Sequence, residues 1–146
     1  MRRIALMVAA GLALAGCGGG HMGSSPTTNS TAADKAQIKS AYATFFSGKT
    51  SVSDRAAVLQ NGSKFESVIE AFASNPLAKN VSATVSSVKV QGANDAKVVY
   101  TVKLGGVALP KQTGNAVREN GNWKVGDASL CKLVSLQGTT PAACKS

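Results

Sequence analysis

The chain opens its folded pattern with an apolar stripe at helical spacing. Ile38, Ala41, Tyr42, Phe45 and Phe46 fall at i, i+3, i+4, i+7 and i+8. Thr31 or Ala33 precedes the stripe and Gly48 stops it. A second, short helix is predicted over 54–60, with Ser53 as its cap and Asn61-Gly62 as its stop. A third follows Ser63-Lys64-Phe65-Glu66, a capping box. Phe65, Val68, Ile69 and Phe72 repeat the helical stripe until Asn75-Pro76 ends it.

From residue 80 the period drops to two. Val81, Ala83 and Val85 alternate with Ser82 and Thr84, the phase slips at Ser86-Ser87, and Val88 and Val90 resume. A slip of one residue turns every later side chain over unless a bulge absorbs it, so a bulge is predicted there. After a turn over 92–95, Val98, Tyr100, Val102 and Leu104 alternate with Lys97, Thr101 and Lys103. Residues 105–110 read as a loop and 111–119 as a third strand. Asn120-Gly121 is a strong hairpin signal, and Trp123 and Val125 then share one face of a fourth strand. The tail is open between two readings. Leu130, Leu133 and Val134 suit a short helix capped by Ser129 and stopped by Gly138, or a fifth strand.

The start of the chain reads as an address. Arg2 and Arg3 precede an apolar run over 4–15, which is long enough for a secretory signal and too short to span a bilayer. It ends in Leu14-Ala15-Gly16-Cys17, which resembles the bacterial lipoprotein signal. The resemblance implies cleavage after Gly16 and a diacylglycerol thioether on Cys17, an anchor to the outer face of the cytoplasmic membrane. Residues 18–33 are rich in Gly, Ser, Thr and Asn and read as a flexible tether, with His21 a solvated member of it. The expected division is therefore signal peptide over 1–16, lipidated Cys17 and tether over 17–33, and one domain over 34–146. With Cys17 assigned to lipid, Cys131 and Cys144 are left, and an exported protein favours their pairing as a disulfide.

Helices first, then consecutive antiparallel strands, is an α+β order. A sheet with one apolar face needs cover, and the striped helices supply it. The expected fold is N-terminal helices packed on a curved four-stranded antiparallel sheet, with a short disulfide-stapled tail. This layout resembles the cystatin-like, nuclear-transport-factor-two-like superfold, with Val117 to Val125 as its closing hairpin. Over about 34–137 it resembles more closely the actinobacterial low-molecular-weight secreted antigen family. That resemblance implies an exported or lipid-anchored domain of this fold and carries no mechanism with it.

Composition narrows the chemistry. The 146 residues are 44% hydrophobic, 16% charged and 5% aromatic, with one histidine. Histidine-based catalysis, a multi-ligand metal site and a ladder of base-stacking aromatics are all poorly served, and no metal, cofactor or nucleic-acid partner is expected. The superfold includes isomerases and dehydratases, whose chemistry needs an acid or base inside the cone between helices and sheet. The predicted inward positions carry none. Glu119 is the one candidate base, and only if the third strand shifts by one residue. An enzyme using Glu119 is therefore the alternative to a non-catalytic ligand-binding or interaction domain.

Two binding surfaces are candidates. One is an apolar pocket with Tyr42, Tyr100, Asn115 and Trp123 around it, against the reading that these side chains fill the core. The other is electrostatic. Formal net charge is +9, and residues 79–146 hold nine basic and three acidic side chains. Strand parity turns Lys89, Lys97, Lys103 and Lys124 away from the core, with Arg118 joining them. That face could meet anionic lipid, a cell-wall polymer or an envelope protein. The competing reading is a solvated lysine-rich face.

Overall fold

The computed structural model describes residues 27–135, 138 and 140–145. Arg2, Arg3, Cys17, His21 and the first part of the tether lie outside the described residues. Among the described residues, four α-helices and five strands follow the expected order of helices before strands. Helix α1 spans Thr27–Phe46, α2 Val52–Ala57 and α3 Glu66–Ala73. Strands β1 (Val81–Val90), β2 (Asp95–Leu104), β3 (Val107–Ala108), β4 (Gln112–Glu119) and β5 (Asn122–Val125) precede α4 (Asp127–Ser135). The sheet is antiparallel throughout, in the order β1-β2-β4-β5, with β3 paired to the end of β2. It curls into a half-barrel around α1, which packs against both β1 and β5. The fold class is the expected α+β wedge.

Local chemistry explains each element. Ile38, Ala41, Tyr42, Phe45 and Phe46 are all buried, so the predicted stripe is the face that α1 lays on the sheet. The helix starts at Thr27, inside the stretch that composition assigns to the tether. Once a packed nucleus exists, each added residue gains a hydrogen bond at little cost, and this carries the helix back through 27–33. The β1–β2 register shifts between Val85 and Ser87, where a bulge was expected. It keeps Val81, Ala83, Val88 and Val90 on one face. Asn120 and Gly121 both have positive φ (53° and 80°), the conformation a two-residue hairpin turn requires.

Four local expectations differ. Ser51, not Ser53, caps α2, its hydroxyl accepting from the Asp54 N–H at 3.1 Å. The capping box at Ser63 does not form, because Gly62–Phe65 turns as a 3-10 helix and α3 begins after it without a side-chain cap. The loop over 105–110 contains β3. The tail adopts the helical alternative. Helix α4 begins at Asp127, so Ser129 is a buried helix residue rather than its cap. Cys131 and Cys144 are bonded, with Cα atoms 5.5 Å apart, and this holds the final 3-10 turn (Ala142–Cys144) on α4.

Candidate ligand-binding site

The concave face of the sheet is not filled along its whole length. Val81 lies opposite Leu104, and Ala83 opposite Val102, so the alternation of β1 and β2 lines up aliphatic side chains toward the helices. Where α3 ends and α4 crosses, these leave an apolar cavity of about 370 Å³. Its walls are Phe72 of α3, Val81, Val102 and Leu104 of the sheet, Leu109 and Pro110 after β3, and Leu133 of α4. Gln112 is the polar side chain among them, and its Nε2 donates to the Pro110 carbonyl at 3.0 Å. A second cavity of about 320 Å³ shares Phe72 and runs between Val68 and Ala71 of α3, Val134 of α4 and Pro141. Pro141 belongs to the loop that the Cys131–Cys144 bond closes. The first cavity has the size and lining of a small-ligand site, largely aliphatic with a single amide.

The sequence placed the pocket elsewhere. Tyr42 and Tyr100 are buried against each other, ring centroids 5.0 Å apart. The Tyr42 hydroxyl donates to the Asn115 carbonyl at 2.7 Å and lies 3.2 Å from Ser129 Oγ, which accepts the Asn115 N–H at 3.2 Å. Burial pushes both phenols above their ordinary pKa. Gly114 makes this arrangement possible, since a Cβ there would collide with Ser129 Oγ and the Tyr42 hydroxyl. Tyr42, Tyr100 and Asn115 thus tie α1, the sheet and α4 together, apart from the walls of the apolar cavity. Trp123 is buried under the Arg118 guanidinium, 4.8 Å from its ring centroid. It borders a separate polar cleft with Gln37, Ser40 and Asn122.

Glu119 does not reach the apolar cavity and instead lines the polar cleft beside Trp123. It sits opposite Asn122 in the β4–β5 register, on the other face from Trp123. Its carboxylate takes Lys124 Nζ at 3.2 Å and the Asn61 N–H at 3.3 Å. No shift of the strand by one residue occurs, because the two-residue turn fixes the pairing.

The lysine face is divided. Lys89 and Lys97 are directly opposite each other on β1 and β2, both exposed, and Lys103 is exposed beside Ser82. Lys124 shares their face but is paired with Glu119. Arg118 does not join them. It lies opposite Trp123 on the inner face and forms an ion pair with Asp34 of α1.

Arg55 was absent from the sequence reading. It is 2% exposed, in a six-residue helix too short to display a face. Its Nη2 donates to the Ser47 carbonyl at 2.6 Å, just past the end of α1, and its guanidinium lies 5.9 Å from the centroid of the Phe72 ring. Nε and Nη1 are buried without a partner. Desolvation lowers its pKa from the ordinary arginine value.

Residues 31–141 match the family model of the low molecular weight antigen MTB12, C-terminal domain. A search of curated proteins finds no match. The family is not named for an enzymatic activity, and an antigen family with a disulfide points to an extracytoplasmic location. The match takes in most of α1 and, beyond it, α3, the sheet and α4, the last three of which frame the apolar cavity. The chain therefore belongs to the low molecular weight antigen MTB12 family and carries its C-terminal domain.

Proposed function

We propose that this chain is a non-catalytic envelope lipoprotein, held through Cys17 to the outer face of the cytoplasmic membrane, whose domain binds an apolar ligand between α3, the sheet and α4. The observation that carries the reading is the aliphatic cavity of about 370 Å³ with one amide in its wall. A core of this size does not leave large side chains half-buried around a void without cost, since a void forfeits packing contacts. A ligand supplies them. The Leu14-Ala15-Gly16-Cys17 sequence supports the anchor, and an acylated cysteine with more than one chain holds stably to a bilayer. Glu119, the sole candidate base, is engaged by Lys124 and Asn61 away from the cavity, which favours binding over catalysis.

Native mass spectrometry of the protein purified from its host membranes tests both parts. The account expects a mature chain starting at a lipidated Cys17 and an apolar small molecule that co-purifies with it. A chain beginning at Met1 contradicts the anchor. A ligand-free domain that takes up no added apolar compound contradicts the binding site.

A second reading rests on the Lys89–Lys97 pair. Like charges directly opposite on a sheet repel, and an anionic surface relieves that repulsion. Here the outer face, with Lys103 six residues farther along β2, rests on anionic lipid or cell-wall polymer. Replacing Lys89, Lys97 and Lys103 by Ser is expected to weaken binding of the unlipidated domain to anionic vesicles at low salt. Unchanged binding removes this reading.

A further inference from the structure

We infer that the ligand is an amphiphile with an apolar chain and a carboxylate head, and that Arg55 receives the carboxylate. The inference rests on the cavity reading above and adds the chemical class of the occupant. Arginine stays charged even when buried, and its guanidinium carries five N–H donors. The contact with Ser47 accounts for one nitrogen, and the carbonyl at the end of α1 gives only the partial charge of a helix terminus. Phe72 gives a ring face. Nε and Nη1 have no partner, and neither ion pair among the described residues includes Arg55. A buried cation with free donors and no counter-charge is an anion site awaiting its anion.

Its position selects the kind of anion. The ring on which the guanidinium lies is Phe72, the shared wall of the two cavities. Arg55 itself lines neither cavity: half-buried Phe72 stands between, and in this proposal its side chain turns aside when the ligand enters. An acyl chain then lies against Val81, Leu104 and Leu133 while its carboxylate reaches Arg55. A wholly apolar ligand leaves the cation uncompensated, and a small anion leaves the aliphatic walls empty.

Calorimetric titration of the mature domain with decanoic acid and with decanol separates the parts. The acid is expected to bind about tenfold or more tightly than the alcohol, because charge-assisted hydrogen bonds exceed neutral ones. In Arg55→Met the preference for the acid over the alcohol is expected to vanish. If that variant does not fold, Arg55→Lys retains the cation and is expected to keep part of the preference. Equal affinity for acid and alcohol in the unaltered protein, or a preference that survives in folded Arg55→Met, overturns the role of Arg55 and leaves the cavity reading standing. Binding of neither compound overturns both.

Discussion

Tyr42 is where the packing of this domain is most exposed to test. Tyr42→Phe removes one oxygen and leaves the ring stacked near Phe46 and tilted against Tyr100. The Asn115 carbonyl loses its 2.7 Å donor but keeps the Gly126 N–H at 2.8 Å, with Ser129 Oγ at 3.5 Å. Because the acceptor stays bonded to Gly126, the loss is the ordinary net value of one hydrogen bond, about 0.5–1.5 kcal/mol. For a domain of this size that lowers Tm by roughly 2–9 °C. Urea unfolding followed by the fluorescence of Trp123, the single tryptophan, reads the change. The same burial makes a pH prediction. Desolvation raises the pKa of Tyr42 and Tyr100 in the folded state, so the fold retains phenol protons that the unfolded chain releases near pH 10. Their contribution is complete below about pH 10 and is lost as pH rises above it. These are the only two tyrosines, so tyrosinate absorbance is expected to appear together with unfolding and not before. A variant within about 0.3 kcal/mol of the parent, against the net worth of one hydrogen bond, or tyrosinate formed near pH 10 in a still-folded chain, refutes the reasoning.

Three further outcomes follow from single contacts. Cys144→Ser opens a loop whose ends are 13 positions apart and is expected to cost about 3 kcal/mol in the chain-entropy treatment, read as a lower urea midpoint. Gly114→Ala puts a Cβ into Ser129 Oγ and the Tyr42 hydroxyl and 3.0 Å from Tyr100 Cε1, an overpacking worth about 1–3 kcal/mol of destabilisation. Lys97→Glu replaces a facing pair of like charges by an opposite pair across from Lys89, and thermal melts are expected to show a gain of about 0.2–1 kcal/mol that shrinks as salt is added.

The elements that tie sequence to fold most directly are those whose period has one physical cause. The stripe from Ile38 to Phe46 buries a helix face, the slip at Ser86 demands a bulge, and Asn120-Gly121 demands positive φ. The same turn already contained the answer for Arg118 and Glu119. A two-residue loop pairs Glu119 with Asn122 and Arg118 with Trp123, so Arg118 had to share the inward face of Trp123. Parity counted without that register sent it outward. The cavity was hidden for a different reason. Alternation tells which way Leu104 or Phe72 points but not whether the space it points into is filled, and the helix that sets this, α4, was itself open between two readings. The aromatic positions taken as pocket polar points close on one another through Ser129, which no pattern marks. Arg55 sits in a helix of less than two turns, where burial depends on the end of α1 and on Phe72 rather than on any local periodicity.

Titrating decanol into the domain and into Leu133→Trp, whose larger ring occupies the cavity between α4 and the sheet, puts the binding site to its plainest trial. One saturable site with a negative heat-capacity change in the parent, and its loss in a variant that unfolds at the same urea concentration, is the expected result. No saturable binding in the parent, or equal binding in both proteins, contradicts the account.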